Sequence, residues 1–153
     1  MKKLTWVLMF TFCLIPVALL AQTKDQMQIT REALKANKKL IVSQNMNLTE
    51  KEADIFWPVY EEYQKALRKL NERTAKLIKD YANNYSDLSD EKAIVLLDEY
   101  MAIEEDRLKL RSSYIPKFRF VLLAKKVFRY YQIENKLSAI ITFDLARGIP
   151  LVK

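Results

Sequence analysis

Adjacent carboxylates are the residues in this chain whose types could most readily do chemistry. Glu61-Glu62, Asp98-Glu99 and Glu104-Glu105-Asp106 stand in pairs or triples. Such groups serve elsewhere as general acids and bases or as ligands of a di-metal centre. Their spacing fits neither use. Neighbours on a helix point in different directions, and di-metal carboxylate sites combine their acids with Glu-x-x-His motifs. The chain has no histidine, and its one cysteine, Cys13, lies in an apolar N-terminal stretch. With a single glycine in the whole sequence, a glycine-rich phosphate cradle is also absent. A calcium loop needs spaced Asp and Asn around a Gly, which Asn83-Asn84-Tyr85-Ser86-Asp87 does not supply. Thiol and triad catalysis lose their nucleophiles and bases. The carboxylates therefore read as a solvated acidic face paired with nearby Lys and Arg. The expected protein is not an enzyme and uses no metal or cofactor.

The basic residues are more suggestive. One cluster comprises Lys65, Arg68, Lys69, Arg73, Lys76 and Lys79, and a second comprises Lys117, Arg119, Lys125, Lys126 and Arg129. Solubility is one reason for such faces. The functional alternative is a basic concave surface that collects acidic, partly unfolded chains and holds them loosely on exposed aromatics. Lys65, Arg68, Lys69, Arg73, Lys76, Lys117, Arg119 and Phe120 are the candidates for that contact. Membrane-surface binding is a third use of the same charges. Gln132, Glu134 and Asn135 are polar within an otherwise apolar segment. If the last two helices form a hairpin turning near Leu123, Glu134 faces the region of Arg111, and a structural ion pair is expected.

These residues must be positioned by helices. Glycine-poor chains have few tight turns, and apolar residues recur here at helical spacing. Residues 1–21 first set themselves apart as a secretory signal peptide. Lys2 and Lys3 form a positive start, Leu4 to Leu20 is an uncharged apolar run, and Ala21 is a small residue before the expected cut. That run is short for a bilayer span, so cleavage after Ala21 is preferred to a retained anchor. Removal of Lys2 and Lys3 lowers the formal charge from +7 to +5. Residues 22–153 then form one helical domain, exported to the periplasm, which disfavours nucleic acid as a partner. A mature chain without cysteine has no disulfide to stabilise it.

Four helices account for this domain. The first spans about Thr23 to Ser43, opened by a Thr23 and Gln26 capping box, and Asn45-Met46-Asn47 breaks it. The second starts at Glu50 behind Leu48-Thr49-Glu50-Lys51-Glu52. There Thr49 and Glu52 can cap each other and Leu48 can staple onto Ala53. Its seam, Phe56, Tyr60, Tyr63, Leu67, Leu70, Thr74, Leu77 and Tyr81, alternates steps of four and three, the heptad pattern of a helix packed on a helix. To Asn83 it spans about 50 Å at 1.5 Å per residue. After a polar loop, Asn83 to Ser89, the third helix is capped by Ser89 with Leu88 as its staple. It carries Ala93, Leu96, Tyr100, Ile103, Leu110, Tyr114, Phe118 and Val121, interrupted by Arg107. The fourth, about Leu123 to Arg147, presents Leu123, Val127, Tyr130, Ile133, Leu137 and Ile140, with Gly148 and Pro150 ending it. Pro58 and Pro116 should kink their helices. The fold class is all-α, with a long kinked antiparallel hairpin. Trp57, eight tyrosines and Phe56, Phe118, Phe120, Phe128 and Phe143 exceed what four thin helices hide easily, so some are expected at a dimer interface or on an open face.

This layout resembles the Spy/CpxP family of periplasmic helical proteins, which have a signal peptide, four helices and an LTxxQ motif opening a helix. Leu48-Thr49-Glu50-Lys51-Glu52 is similar to that motif with Glu for Gln, and either residue completes a capping box. At the second motif the chain reads Leu122-Leu123-Ala124-Lys125-Lys126 and departs from the pattern. The segments NMNLTEKEADIFWPVYEEY and YYQIENKLSAI are similar to those of small exported proteins without assigned activity. The resemblance implies a cradle-like antiparallel homodimer. It also implies an ATP-independent chaperone of unfolded or acidic envelope proteins, or a regulatory module binding one envelope sensor or anti-sigma partner. The metal-responsive branch of the family relies on histidines, which this chain lacks.

Overall fold

A computed structural model describes residues 37–152. The expected leader and the start of the first helix lie outside the described residues. Helix α1 is described over residues 37–46, followed by α2 (Glu50–Asn84), a 3-10 turn (Tyr85–Asp87), α3 (Asp90–Val121) and α4 (Ala124–Arg147). Among the described residues there is no strand. The all-α fold is as expected.

Local chemistry sets the starts of α2 and α3. The Thr49 hydroxyl accepts from the Glu52 amide at 3.3 Å, and the Thr49 amide donates to the Glu52 carboxylate at 2.8 Å. This is the reciprocal capping box that the sequence predicts. The Ser89 hydroxyl accepts from the Lys92 amide at 3.3 Å. Helix α4 has no such device: its N-cap, Leu123, makes no side-chain cap bond, and no acid stands in its first turn. Lys125 and Lys126 occupy that turn instead, against the helix dipole.

Helices α2 and α3 form an antiparallel hairpin, tied by Lys117 to Glu62, Arg73 to Glu99 and Asp106, and Lys92 to Asp80. Helix α4 folds back along α3 and runs in the same direction as α2. Lys126 meets Glu52, Gln64 meets Glu134, and the Tyr81 hydroxyl donates to the Pro150 carbonyl at 2.9 Å. Helix α1 lies on the start of α2 through Lys39, whose ammonium reaches Glu61 at 2.7 Å and lies 5.1 Å from the Trp57 ring centre. The described residues from Lys39 onward form one compact unit.

The core is aromatic. Phe56, Tyr60, Tyr63, Tyr114, Phe118 and Tyr130 are buried together with Val42, Met46, Leu122 and Val127. Ring centroids lie 4.7 Å apart for Phe118 and Tyr130, 5.3 Å for Phe56 and Tyr130, and 5.2 Å for Tyr63 and Tyr114. Tilted and edge-on pairs at such separations are worth about 0.5–1.5 kcal/mol each beyond area burial. The helices hide most of the aromatic set and leave some of it open, as expected. Tyr100, Phe120, Phe128 and Phe143 are the ones left exposed.

Two local expectations are revised. Helix α1 does not break at Asn45 but continues through Met46, which is wholly buried, and the break is Asn47 at φ 48°. Most of the expected loop at 83–89 is helical, because α2 runs on to Asn84, whose amide returns to the Asp80 carbonyl at 2.7 Å. Pro58 and Pro116 lie inside continuous helices. The carbonyls they leave without an amide partner belong to exposed Asp54 and Ser112.

Candidate client-binding surface

The basic candidates do not form one patch. Arg73 turns into the hairpin seam: its guanidinium donates to Glu99 at 3.0 and 3.2 Å and to Asp106 at 2.6 Å. Those bonds hold it firmly cationic and lower the Glu99 carboxyl below its usual range. Lys117 is similarly engaged, 2.8 Å from Glu62 and over the Tyr114 ring at 4.2 Å, and the ion pair raises Lys117 and lowers Glu62.

Between these two pairs the seam opens into a groove of about 410 Å³. Ala66, Leu70, Leu110 and Tyr114 form its apolar lining, with Lys65, Lys69, Glu62 and Asp106 around them. Glu62 is paired with Lys117, and Asp106 shares Arg73 with Glu99, whereas Lys65 and Lys69 make no ion pair among the described residues. Arg68 lies on the other flank of α2, where its charge acts on Tyr60, and Lys76 lies further along, beside Glu99. Arg119 and Phe120 are exposed at the opposite end of the hairpin from its tip.

Sequence periodicity assigned one stripe to α3, yet the helix carries two. Leu96, Ile103, Tyr114 and Phe118 are buried on the α2 side. Ile94, Leu97, Met101, Leu108 and Ile115 are exposed, in steps of three, four, seven and seven, and so share a second face. A second, offset heptad was the signal for it. Residues two apart are separated by about 200° around a helix, so Leu108 projects away from Asp106 and the groove. Exposed Asp98, Glu104 and Glu105 border this apolar face. The charged groove and the open apolar face thus lie on opposite flanks of α3.

Glu134 is buried on α4 with 5% of its surface exposed. The Gln64 amide donates to it at 3.0 Å and to the Tyr130 hydroxyl at 3.3 Å. Arg111 lies near enough to Tyr63 for its charge to act on the phenol, and its carbonyl accepts from the Tyr131 hydroxyl at 3.1 Å. Both Glu134 and Arg111 act on Tyr63, and Gln64 is a partner of Glu134 that sequence reasoning missed. Burial, with the Glu134 charge nearby, raises the phenols of Tyr60, Tyr63, Tyr130 and Tyr131 above the ordinary tyrosine range.

Among the described residues no three of His, Cys, Asp and Glu converge as a metal site, and no helix is long and apolar enough to cross a membrane. No family model, curated protein or solved structure matches this chain.

Proposed function

We propose that the protein is an ATP-independent holdase that binds unfolded or partly folded envelope proteins without bond-making chemistry. The observation that carries this reading is the open apolar face of α3, five large side chains along about 30 Å of helix at 1.5 Å per residue. Exposed apolar surface of that extent marks a site of contact. Its charged borders keep the free protein soluble and limit each contact to a short apolar run, which suits loose, repeated capture. Lys65 and Lys69 lie about one helix diameter away, roughly 10 Å, which is comparable to the Debye length. They add attraction for acidic segments without occupying the apolar face. In this reading two copies associate as a homodimer, as the resemblance to the Spy/CpxP family implies.

The test is light scattering of an unfolding client with the protein at sub-stoichiometric to equimolar ratios. Wild type should slow aggregation, more strongly at low salt. Replacing Leu97, Met101 and Leu108 together by Gln should remove most of the effect while leaving the helical signal intact. Unchanged scattering curves across several clients would refute the proposal.

The heptad spacing of the same face supports a second reading, a regulatory module docking one helical envelope partner. One stoichiometric partner recovered from envelope extract would favour regulation, and a broad mixture would favour the holdase.

A further inference from the structure

We infer that the α3–α4 corner is a docking point for anionic lipid bilayers. Residues 117–129 contain five Lys or Arg and no Asp or Glu. Within this run Phe120, Leu123 and Phe128 are 92%, 76% and 67% exposed. They sit on the last turn of α3, the connection and the first turns of α4, at one end of the bundle. Lone exposed apolar residues are ordinary, but three large ones within nine positions, 67–92% exposed where two helices meet at one end of the bundle, protrude as a wedge. A wedge fits a soft, deformable apolar phase better than it fits a folded protein.

The charges select the kind of surface. Lys117 and Lys126 are held by Glu62 and Glu52. Arg119 and Lys125 make no ion pair among the described residues, and both are exposed. Arg129 is exposed too and donates one N–H to the Asn45 carbonyl while keeping its charge. The free acids at this end are Glu50 and Asp54 in the first turns of α2. Arg119, Lys125 and Arg129 therefore surround the apolar wedge with net positive charge. Basic residues around exposed Phe and Leu are the composition that seats a segment in the interface of an anionic bilayer. Lys125 also stands against the dipole of α4, an arrangement that a nearby anion relieves. With the corner seated, the α3 face and the groove extend away from the membrane, so this inference is independent of which partner they hold.

The test places an environment-sensitive fluorophore at Leu123→Cys in the full chain, with Cys13→Ser removing the native thiol. A second label at Ser86→Cys, on the exposed hairpin tip, reports the far end. Vesicles of phosphatidylglycerol and phosphatidylethanolamine should blue-shift the label at 123 and leave the label at 86 unchanged. Pure phosphatidylcholine vesicles should do neither. Arg119→Glu with Lys125→Glu should weaken the apparent affinity by about tenfold or more. Because the readout is local to residue 123, binding through any other segment does not mimic it. No shift at 123, or an equal shift with phosphatidylcholine, would overturn the inference. A shift without vesicles that grows with protein concentration would overturn it as well, by showing the corner to be a contact between copies.

Discussion

Gln64 on α2 donates to the carboxylate of Glu134 on α4 at 3.0 Å, although 70 residues separate them, and both are buried. This bond fixes the register of α4 on the hairpin beside a largely aromatic core. Apolar rings pack in many ways, whereas a buried carboxylate needs its donor in one place. Gln64→Leu should destabilise the protein by about 2 kcal/mol, because it strips a donor from a buried charge. Glu134→Gln, which keeps shape and polarity, should be the milder change. Urea denaturation followed by circular dichroism measures both.

The tyrosines around this pair make the fold sensitive to alkali. Tyr60, Tyr63, Tyr130 and Tyr131 are raised above the usual value by burial, with further raising from charged or ionisable neighbours such as Glu134. A raised pKa means that the native state holds its protons while the unfolded state releases them. The resulting stability is complete below the ordinary tyrosine pKa of about 10 and is lost as pH rises above it. Phenolate absorbance from these residues should therefore appear together with loss of helix, in one cooperative step. Early titration of all tyrosines with the helical signal intact would contradict the buried cluster.

Acid acts at the other end of α4. The Lys126 ammonium, with the Thr49 amide, lowers the Glu52 carboxyl to about 2. A depressed carboxyl contributes stability that is present above its unfolded value of 4.5 and is lost as pH falls toward 2. Glu52→Gln keeps the capping box but removes the charge. Its melting temperature should lie below wild type at pH 7, and the two should converge as the pH is lowered to 2. A gap of constant size would show that the ion pair contributes nothing.

The capping box, the Ser89 cap and the α2 seam were legible because each depends on neighbours in sequence. Arg107 was visible as a break in the α3 stripe. Its guanidinium reaches Asn71 at 3.1 Å and Thr74 at 3.3 Å, so the break marks a polar contact with the one polar residue of the opposing seam. Arg73 was not legible. It reads as one more surface cation, and its inward turn depends on Glu99 and Asp106 arriving from another helix. The aromatics were legible as a set with some members in the open, but which of them pack ring on ring depends on contacts among three helices. The second α3 stripe was present in the sequence, but an inward heptad was already satisfied there.

The two faces of α3 should separate stability from function. Ile103 is 1% exposed and Leu108 is 65% exposed. Ile103→Ala removes buried methylenes and should destabilise by about 2–5 kcal/mol. Leu108→Ala should change stability by no more than about 0.5 kcal/mol, since exposed substitutions away from caps and networks rarely exceed that. Equal losses from both, measured by thermal melting, would mean that the outer face is already covered by a second copy in solution. Dilution would then restore the difference.

Backbone geometry gives a last contrast, between a residue that needs glycine-like freedom and a glycine that does not use it. Asn47 joins α1 to α2 at φ 48°, in the left-handed region that Asn tolerates better than most residues. Gly148 caps α4 at φ −92°, and a methyl group there would meet only the Leu145 carbonyl oxygen at 3.6 Å, an ordinary contact. Asn47→Gly should accordingly be close to neutral, whereas Asn47→Val should lose about 1–2 kcal/mol from left-handed strain. Gly148→Ala should gain about 0.4–1 kcal/mol by reducing the freedom of the unfolded chain. Melting temperatures of the three variants check the ordering. A destabilised Gly148→Ala would mean that the end of α4 takes a left-handed turn in solution.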